Sequence, residues 1–458
     1  MITVDIDNVM GWCNPVEKRI WGITQSQALW LVLAAIAWFI ESYDIGLVSV
    51  VLLPFKTLFH LTGSETGLLV ASATVGIVVG VVPSGYLADR LGRKRLLVAA
   101  LIWYSLLTAA AGFSPGWRTV LLLRFFAGLG LGAMFPLPYT LLAELSPKRV
   151  RGRVAGILDA FLSVGYFAAP LLGGWIMGRV GLMTGWRILF FLGGLGVVYG
   201  AILARWLPES PRWLMAQGRQ MEADRVMSYM GREAREELTA QRIDPRPKAP
   251  VGVLWSKPYR RRTVMLWLAF PSILFVFYAI MNFMPTILVK ERIDDTLALE
   301  FAALIMAASI PGKLVEAWLV EKIGRKAVIV SFTVIAAVAA VVFPAVRSPA
   351  GLIAIGMVLA FFGVSVDPAI KIFSAEQYPT AIRGTGVGMT EGVGRLLGGA
   401  LAPYIMALML SSSGIRGSFL FIAAVALVGA LAVLAFGRET GGLVLEERVR
   451  APRAVKAL

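Results

Sequence analysis

The sequence predicts an all-α integral membrane protein of twelve transmembrane helices, arranged as two pseudo-symmetric six-helix bundles. Of its 458 residues, 58% are hydrophobic and only 16% are charged, whereas soluble chains carry about 25% charged residues. Roughly twelve apolar runs approach the ~20 residues that a helix needs to cross a bilayer. Motifs of the first half also recur in the second half at a constant distance along the chain.

The predicted spans follow one another with mostly short polar loops between them. Their limits are 27–53, 65–88, 96–113, 118–143, 154–178, 185–207, 263–289, 297–320, 327–346, 350–375, 384–411 and 415–437. The polar segment 208–262 alternates charges at helical spacing over 221–237 and is proline-rich over 244–250, which predicts a linker with short helices. The predicted domains are an N-terminal segment (1–26), a first bundle (27–207), this linker, a second bundle (263–437) and a tail (438–458).

The formal net charge of +16 is concentrated in alternate loops. If the N-terminus lies inside, the inside loops carry basic clusters at 90–95, 148–153 and 212–262, while the outside loops carry mostly single cations. This positive-inside pattern predicts that both termini are cytoplasmic. A nucleic-acid partner would need cations and stacking aromatics on one soluble face. We therefore expect a bilayer as the environment, a bacterial or archaeal cytoplasmic membrane as the location, and a monomer.

Enzyme and metal chemistry are not expected. Cys13 and His60 are the only residues of their types, so an internal disulfide and a histidine-based metal site are both excluded. The sequence also shows no phosphate loop, metal-ligand cluster or nucleophile triad. We expect no cofactor.

The two halves of the chain are related by a repeat. Two motifs of the first half recur in the second half, with every member 232 residues later. The first motif is Asp89, Gly92, Arg93 and Lys94, which recurs as Glu321, Gly324, Arg325 and Lys326. The second motif is Glu144, Pro147, Arg151 and Gly152, which recurs as Glu376, Pro379, Arg383 and Gly384. Chance could produce one such match, but not two in a fixed register. Parallel six-helix repeats are a transporter architecture.

The loop after the second span reads Gly85-Tyr-Leu-Ala-Asp89-Arg90-Leu-Gly92-Arg93-Lys94-Arg95. It resembles the loop 2–3 signature of the major facilitator superfamily, and the resemblance covers nearly the whole chain. It implies secondary transport by alternating access, with Asp89 pairing with Arg90 or Arg93 to steady the outward-open state. Breaking such a pair would shift the conformational equilibrium. The gating candidates are Gly85, Asp89, Arg90, Gly92, Arg93, Glu144, Arg151, Glu321, Arg325, Glu376 and Arg383.

Two further segments are similar to signatures of the sugar-porter branch and its organic-ion relatives. They are Pro208-Glu209-Ser210-Pro211-Arg212, after the sixth span, and Arg438-Glu439-Thr440-Gly441-Gly442, after the twelfth. The sugar-site features are absent: the seventh span has Tyr278 and Asn282 without the paired glutamines of sugar porters, and the tenth carries Asp367 and Lys371. The chain therefore resembles organic-ion and aromatic-acid proton symporters more closely.

Charges inside the first-half spans are candidate proton-coupling residues, because each costs roughly 2.5–3.5 kcal/mol to insert. Glu41 and Asp44 lie three residues apart on one face of the first span, with no obvious cation in that helix. Acids in such a setting can carry a proton. Arg124, in the fourth span, resembles the family's helix-4 arginine linked to coupling. It is equally expected as a structural partner of Asp44 or Glu41.

Charges inside the second-half spans are candidate substrate ligands. Glu391 precedes Arg395 by four residues and Asp367 precedes Lys371 by four, the favourable order for an ion pair on one helix. Each pair either neutralises itself or opens to bind an anion, and Arg395 resembles the helix-11 arginine of organic-anion carriers. The remaining members of the predicted substrate site are Asp159, Tyr166, Tyr278 and Asn282.

Together these features predict proton-coupled symport of a small organic anion. One alternative is a proton antiporter that exports drugs or organic cations, because Gly156, Gly165 and Ala169-Pro170 nearly match a drug-exporter signature. The same small residues also simply permit close helix packing. A second alternative is a facilitator or symporter for a neutral solute such as a sugar, and a third is a transporter-like receptor that senses its ligand.

Overall fold

The structure, a computed structural model, describes residues 19–20, 23–240, 251–379 and 382–440. Most of the N-terminal segment, the proline-rich run at 244–250 and the tail from 441 lie outside the described residues. Within the described part, twelve helical spans are long and apolar enough to cross a membrane. Their limits differ from the predicted ones by at most six residues, at the end of the first span. The predicted number and order of spans are therefore confirmed.

The first half contains span 1 (Gln25–Phe59), span 2 (Gly63–Leu91), span 3 (Arg93–Ala111), span 4 (Trp117–Leu145), span 5 (Arg151–Val180) and span 6 (Leu182–Trp206). The second half contains span 7 (Arg260–Lys290), span 8 (Asp295–Ile323), span 9 (Arg325–Ala345), span 10 (Pro349–Glu376), span 11 (Arg383–Ser412) and span 12 (Gly414–Phe436). Spans 1 and 7, the first of each half, are the most enclosed, with 78% and 83% of their most apolar stretch buried. This correspondence agrees with the repeat found in the sequence.

Short elements connect the spans. Three helices, Pro211–Ala216, Gln220–Ser228 and Arg232–Ala240, follow span 6, and the 3₁₀ turns Lys148–Val150 and Val251–Trp255 precede spans 5 and 7. The all-α prediction did not include the two-residue strands Arg19–Ile20 and Ile23–Thr24, which pair antiparallel.

Several spans are interrupted within the membrane. Span 4 divides into Trp117–Met134 and Leu137–Leu145, span 6 into Leu182–Gly193 and Leu195–Trp206, and span 8 into Asp295–Ala307 and Ser309–Ile323. Spans 10 and 11 contain π-helical segments, Ala360–Val364 and Arg395–Ala400. Such π turns are rare and occur frequently at functional sites. Here they lie beside Asp367 and at Arg395, which were predicted to bind substrate.

Contacts group the chain into two compact units, Met1–Pro54 with Ser72–Asp244, and Phe55–Ala71 with Pro245–Leu458. The sequence had assigned residues 55–71 to the first bundle, so the units do not coincide fully with the predicted domains. The predicted limits of the linker and the terminal segments stay a prediction.

Small residues bring spans 1 and 5 of the first unit together. A Cβ at Gly165 would lie 1.9 Å from the Ser42 hydroxyl, and one at Gly46 would lie 2.9 Å from the Ala169 side chain. Because no larger side chain fits at such a contact, these positions let the two helix backbones approach closely. The small residues of span 5 therefore have a packing role, which was the alternative to the drug-exporter interpretation.

Candidate functional site

Asp44 and Arg124 form an enclosed ion pair in the first unit. The Arg124 Nη1 lies 2.7 Å from the Asp44 Oδ2, and its Nη2 donates to the Asp44 carbonyl at 3.0 Å. The hydroxyl of Thr108, in span 3, donates to the other carboxylate oxygen at 2.5 Å. The two charged side chains are 0% and 1% exposed. Span 4 thus supplies the cation that pairs with Asp44, so the partner role foreseen for Arg124 is confirmed. Thr108 was not predicted.

Glu41 lies on the same face of span 1 as Asp44 and is fully buried. Both acids are close enough to Tyr104 of span 3 to act electrostatically on its buried hydroxyl. Since Tyr104 is one turn before Thr108, the acidic face of span 1 packs against one face of span 3. The i, i+3 spacing of the acids indicated this shared face but could not identify the opposing helix.

Asp159 lies in a small aromatic group of the first unit. The Tyr139 hydroxyl donates to the Asp159 Oδ1 at 2.5 Å. The Trp38 ring meets the Tyr139 ring edge-on, with the centroids 5.0 Å apart. Tyr166, another predicted member of the substrate site on the same helix, is buried against span 1, beside Gly46. Tyr139 was not predicted as the partner of Asp159, because it lies on another helix.

Arg395 and Glu391 pair in span 11 of the second unit, as predicted from their spacing. The Arg395 Nε lies 3.1 Å from a Glu391 carboxylate oxygen. The arginine side chain is 6% exposed, but that of Glu391 is 28% exposed. Arg395 begins the π segment Arg395–Ala400, and the next turn is brought close to span 7, where a Cβ at Gly398 would lie 2.3 Å from the Pro271 carbonyl.

Asp367 and Lys371 form the second pair of this unit, at 2.6 Å. Here the acid is the enclosed member, 8% exposed, and the Lys371 side chain is 25% exposed. The charges of Lys313 and Arg395 also act on Asp367, so three cations from spans 8, 10 and 11 surround one carboxylate. Lys313 was not among the predicted substrate ligands. It lies on another helix, so its position near Asp367 could not be read from helical spacing.

Tyr278 and Asn282 are buried in span 7, at 2% and 3% exposure. The Tyr278 ring packs edge-on against Phe277 at 5.1 Å. Their assignment to the substrate site stays a prediction. No group of three or more His, Cys, Asp or Glu side chains is placed to hold a metal ion in the part of the chain that the structure describes.

Five residues that meet around the start of span 3 form the first capping cluster. They are Gly92 and Arg93 at the start itself, Glu144 from span 4, and Glu209 and Ser210 from the segment after span 6. The Glu209 carboxylate accepts from the backbone N–H of Lys94 at 2.9 Å, where a negative charge is favoured by the helix dipole. Arg93 contacts Glu144 and donates to the Ser210 hydroxyl at 3.1 Å. Gly92 has a φ of 100° and lies against the Glu209 carboxylate, so a side chain there is excluded.

The equivalent residues at the start of span 9 form the second capping cluster: Gly324, Arg325, Glu376, Glu439 and Thr440. The Glu439 carboxylate accepts from the backbone N–H groups of Arg325 and Lys326 at 2.9 and 3.0 Å. Arg325 lies 3.3 Å from Glu376, and the Thr440 hydroxyl donates to Glu376. The segments after spans 6 and 12, read in the sequence only as lineage signatures, thus cap spans 3 and 9.

The remaining gating candidates differ in their surroundings. Arg151 and Arg383 occupy equivalent places and donate to the carbonyls of Ser146 and Tyr378 at 3.2 and 3.4 Å. Gly85, Asp89, Arg90 and Glu321 are exposed. The expected pairing of Asp89 with Arg90 or Arg93 is wrong for this structure: Arg93 contacts Glu144, and Arg90 lies over the Tyr86 ring. Asp89 takes part through its carbonyl, which accepts from the Trp213 indole at 2.8 Å.

Comparison with known proteins identifies the family. A family model described as "Sugar (and other) transporter" matches residues 30–451. The niacin transporter NiaP of Acinetobacter baylyi is 32% identical over 423 residues, which are 91% of this chain and 95% of that protein. A gallate transporter of Pseudomonas putida is 28% identical over 97% of this chain and 98% of its own length. These relatives are transporters rather than enzymes.

A solved structure supports the fold class. The proton:xylose symporter XylE, a major facilitator superfamily protein of E. coli, has a TM-score of 0.70 with 21% identity. The match covers 92% of this chain and 97% of that one. At this identity the likeness concerns the fold alone, and it agrees with the twelve spans and the loop signature. The chain belongs to the sugar (and other) transporter family of the major facilitator superfamily and is a multi-pass membrane transporter of small molecules.

Proposed function

We propose that this transporter is a proton-coupled symporter of a small planar organic anion, a ring carboxylate, working by alternating access. The observation that carries the proposal is the Arg395–Glu391 pair. A guanidinium in the membrane needs a counter-ion, and this one has a carboxylate partner that is itself partly accessible, at 28%. A substrate carboxylate can therefore replace Glu391 on Arg395. Arginine favours that exchange because its planar fork binds a carboxylate through two hydrogen bonds.

The relatives support a ring carboxylate. Niacin and gallate, named for two of them, both carry a carboxylate on a planar aromatic ring. In the first unit, Trp38 and Tyr139 supply aromatic surface next to the Asp159 carboxylate. Aromatic side chains pair with other rings in edge-to-face or offset arrangements. A ring substrate that also bears a hydrogen-bond donor would suit this group.

Charge balance supports proton coupling. Four charged residues of spans 8, 10 and 11 are buried, the cations Lys313 and Arg395 and the acids Glu316 and Asp367. With the partly exposed Lys371 and Glu391 the set comprises three cations and three acids. A substrate anion adds one negative charge to this balanced set, in a medium where an uncompensated charge is costly. Uptake of one proton restores the balance. We assign the coupling function to Asp44, with Glu41 and Arg124 controlling its environment.

A neutral solute such as a sugar is the second candidate function. The family description includes sugar transporters, and the XylE structure shares the fold. Under this alternative the six charges inside the second unit would have no part in recognition. The organic anion is therefore the better proposal.

The distribution of cations supports an orientation with both termini in the cytoplasm of a bacterial cell. Both capping clusters then face the cytoplasm, where they would bias the conformational equilibrium. In this orientation the substrate is taken up from outside along with protons.

Uptake into proteoliposomes tests the proposal. The panel is radiolabelled nicotinate, gallate, xylose and tetraethylammonium, measured with and without an imposed inward proton gradient. We expect the gradient to drive accumulation of at least one ring carboxylate and a proton ionophore to abolish it. Accumulation of xylose alone would show that the substrate is a neutral solute and would overturn the proposal of an organic anion. Efflux of tetraethylammonium driven by the inward proton gradient would show antiport and overturn the symport proposal.

A further inference from the structure

A basic cavity of the second unit lies beside the start of span 7 and the end of span 12. Its volume is about 490 Å³. The cations that line it are Lys257, Arg260, Arg261, Arg262 and Arg438, and its apolar lining includes Pro258, Ala435 and Phe436. No acid lines it among the residues that the structure describes, and the nearby Glu439 is engaged in capping span 9. The cavity therefore presents five positive charges without an acidic partner in its lining.

The first unit shows that the fold does not require these cations. The equivalent start of span 1, residues 25–30, contains no Lys or Arg. There the Gln27 amide donates to the carbonyl of Leu145 at 2.7 Å. In the second unit the carbonyl 232 residues later, that of Gln377, accepts from Arg262 at 2.8 Å. A neutral glutamine thus makes the structural bond in one unit, and the additional charges of the other need a different explanation.

The cations also repel one another. Arg262 and Arg438 are close enough for their charges to interact unfavourably, and Lys257, Arg260 and Arg261 are exposed beside them. Such a concentration of like charge favours a bound anion, because the anion removes the repulsion and gains several charge-assisted hydrogen bonds at once.

The position of the cavity relative to the bilayer indicates which kind of anion binds there. Span 7 begins and span 12 ends here, so the cavity lies at the border between the apolar spans and water. Trp255 is 49% exposed and packs edge-on against Trp267 at 5.2 Å, and Phe436 is 50% exposed. Tryptophan is enriched at the headgroup level of membranes, and basic pockets at this level bind anionic headgroups.

We propose that this cavity binds the headgroup phosphate of an anionic phospholipid, with Lys257, Arg260 and Arg261 as its main ligands. The acyl chains would lie along Phe436 and the apolar end of span 12. The site also adjoins the second capping cluster: Arg438 immediately precedes Glu439, and its carbonyl accepts from the Gln377 amide at 3.0 Å. Lipid binding would therefore hold the segment that caps span 9.

Lipid retention measured by native mass spectrometry tests this site. Purified full-length protein in detergent is titrated with phosphatidylglycerol or phosphatidylcholine of the same acyl chains. Each cation near the site should contribute about fivefold to the affinity for the anionic lipid. We expect wild type to prefer phosphatidylglycerol at least tenfold, and Lys257→Gln/Arg260→Gln/Arg261→Gln to lower that preference to within about twofold.

The matched control is Arg149→Gln/Arg153→Gln/Arg205→Gln, which removes the same charge from exposed positions of the first unit and should keep the wild-type preference. If the triple cavity variant does not fold, Lys257→Gln alone should lose about fivefold. Equal losses in the control would make the effect one of net charge and overturn the site. Full competition by inorganic phosphate would overturn the lipid assignment in favour of a soluble phosphate compound. Substrate uptake is not part of this readout, so failure of the proposed function leaves it interpretable.

Discussion

The charged residues inside the spans are enclosed differently in the two units. In the first unit both members of the Asp44–Arg124 pair are sealed from solvent, and Thr108 donates to the second carboxylate oxygen. In the second unit each pair has one enclosed and one accessible member: Glu391 is 28% exposed and Lys371 is 25% exposed. A sealed pair resists exchange with a ligand, whereas a pair with an accessible member can give up its partner to a ligand. This difference is the basis for proposing coupling in the first unit and substrate binding in the second.

Breaking the sealed pair should have the largest effect. Arg124→Gln leaves the Asp44 charge buried without its cation, which typically costs about 3–5 kcal/mol. We expect a large loss of thermal stability in detergent together with loss of uptake. The double variant Asp44→Asn/Arg124→Gln removes both charges and should recover most of the stability, but not accumulation driven by a proton gradient.

Asp44→Asn alone separates coupling from folding. We expect substrate exchange between equal concentrations to persist while pH-driven accumulation is lost, because the amide cannot take up the proton. Full retention of pH-driven accumulation in proteoliposomes would show that the sealed pair is structural only.

Breaking the open pair at Arg395 should affect binding before stability. The loss of one charge-assisted contact in a buried site costs roughly 2–5 kcal/mol, which is about thirtyfold or more in affinity. Arg395→Lys should also weaken binding, because lysine keeps the charge but loses the planar fork. Scintillation proximity binding of an identified substrate measures both variants, with the exposed Arg416→Ala as control. Affinity within about threefold of wild type for Arg395→Ala would make this arginine structural.

A smaller effect is expected from Tyr139→Phe, which removes one hydrogen bond and keeps the ring. A hydrogen bond to a charged carboxylate corresponds to about 1.5–3 kcal/mol. Competition assays should show a change of roughly ten- to hundredfold in the preference between ring carboxylates with and without a second polar substituent. If Tyr139→Phe leaves this preference unchanged, the Tyr139–Asp159 group is not part of the substrate site.

The smallest effects should come from the capping clusters, where we expect Glu209→Gln and Glu439→Gln to shift the conformational balance without abolishing binding. Glu209→Gln should have the greater effect. Its neighbour Ser210 also caps the helix Pro211–Ala216, and Arg149 and Arg151 reach Glu233 and Glu237 of the helix Arg232–Ala240. Labelling of single cysteines from either side, in a Cys13→Ser background, measures the balance. Lost affinity with unchanged accessibility would contradict the gating role of both clusters.

The span count, the internal repeat and the family could all be predicted from the amino-acid sequence. Hydropathy is a local property, since each span must satisfy its own backbone hydrogen bonds within the bilayer, so twelve apolar runs were sufficient to locate twelve helices. The two i, i+4 pairs, Glu391–Arg395 and Asp367–Lys371, were equally readable, because both partners lie on one helix.

The partners that lie on other helices could be identified only from the packing of the helices. Arg124 lies 80 residues from Asp44, and Glu209 lies 115 residues from the backbone amide that it caps. Helical periodicity states which side chains share a face, but not which helix packs against that face. The exposure of each pair is likewise a product of packing. It is this difference in exposure, invisible in the sequence, that separates the sealed pair of the first unit from the exchangeable pairs of the second.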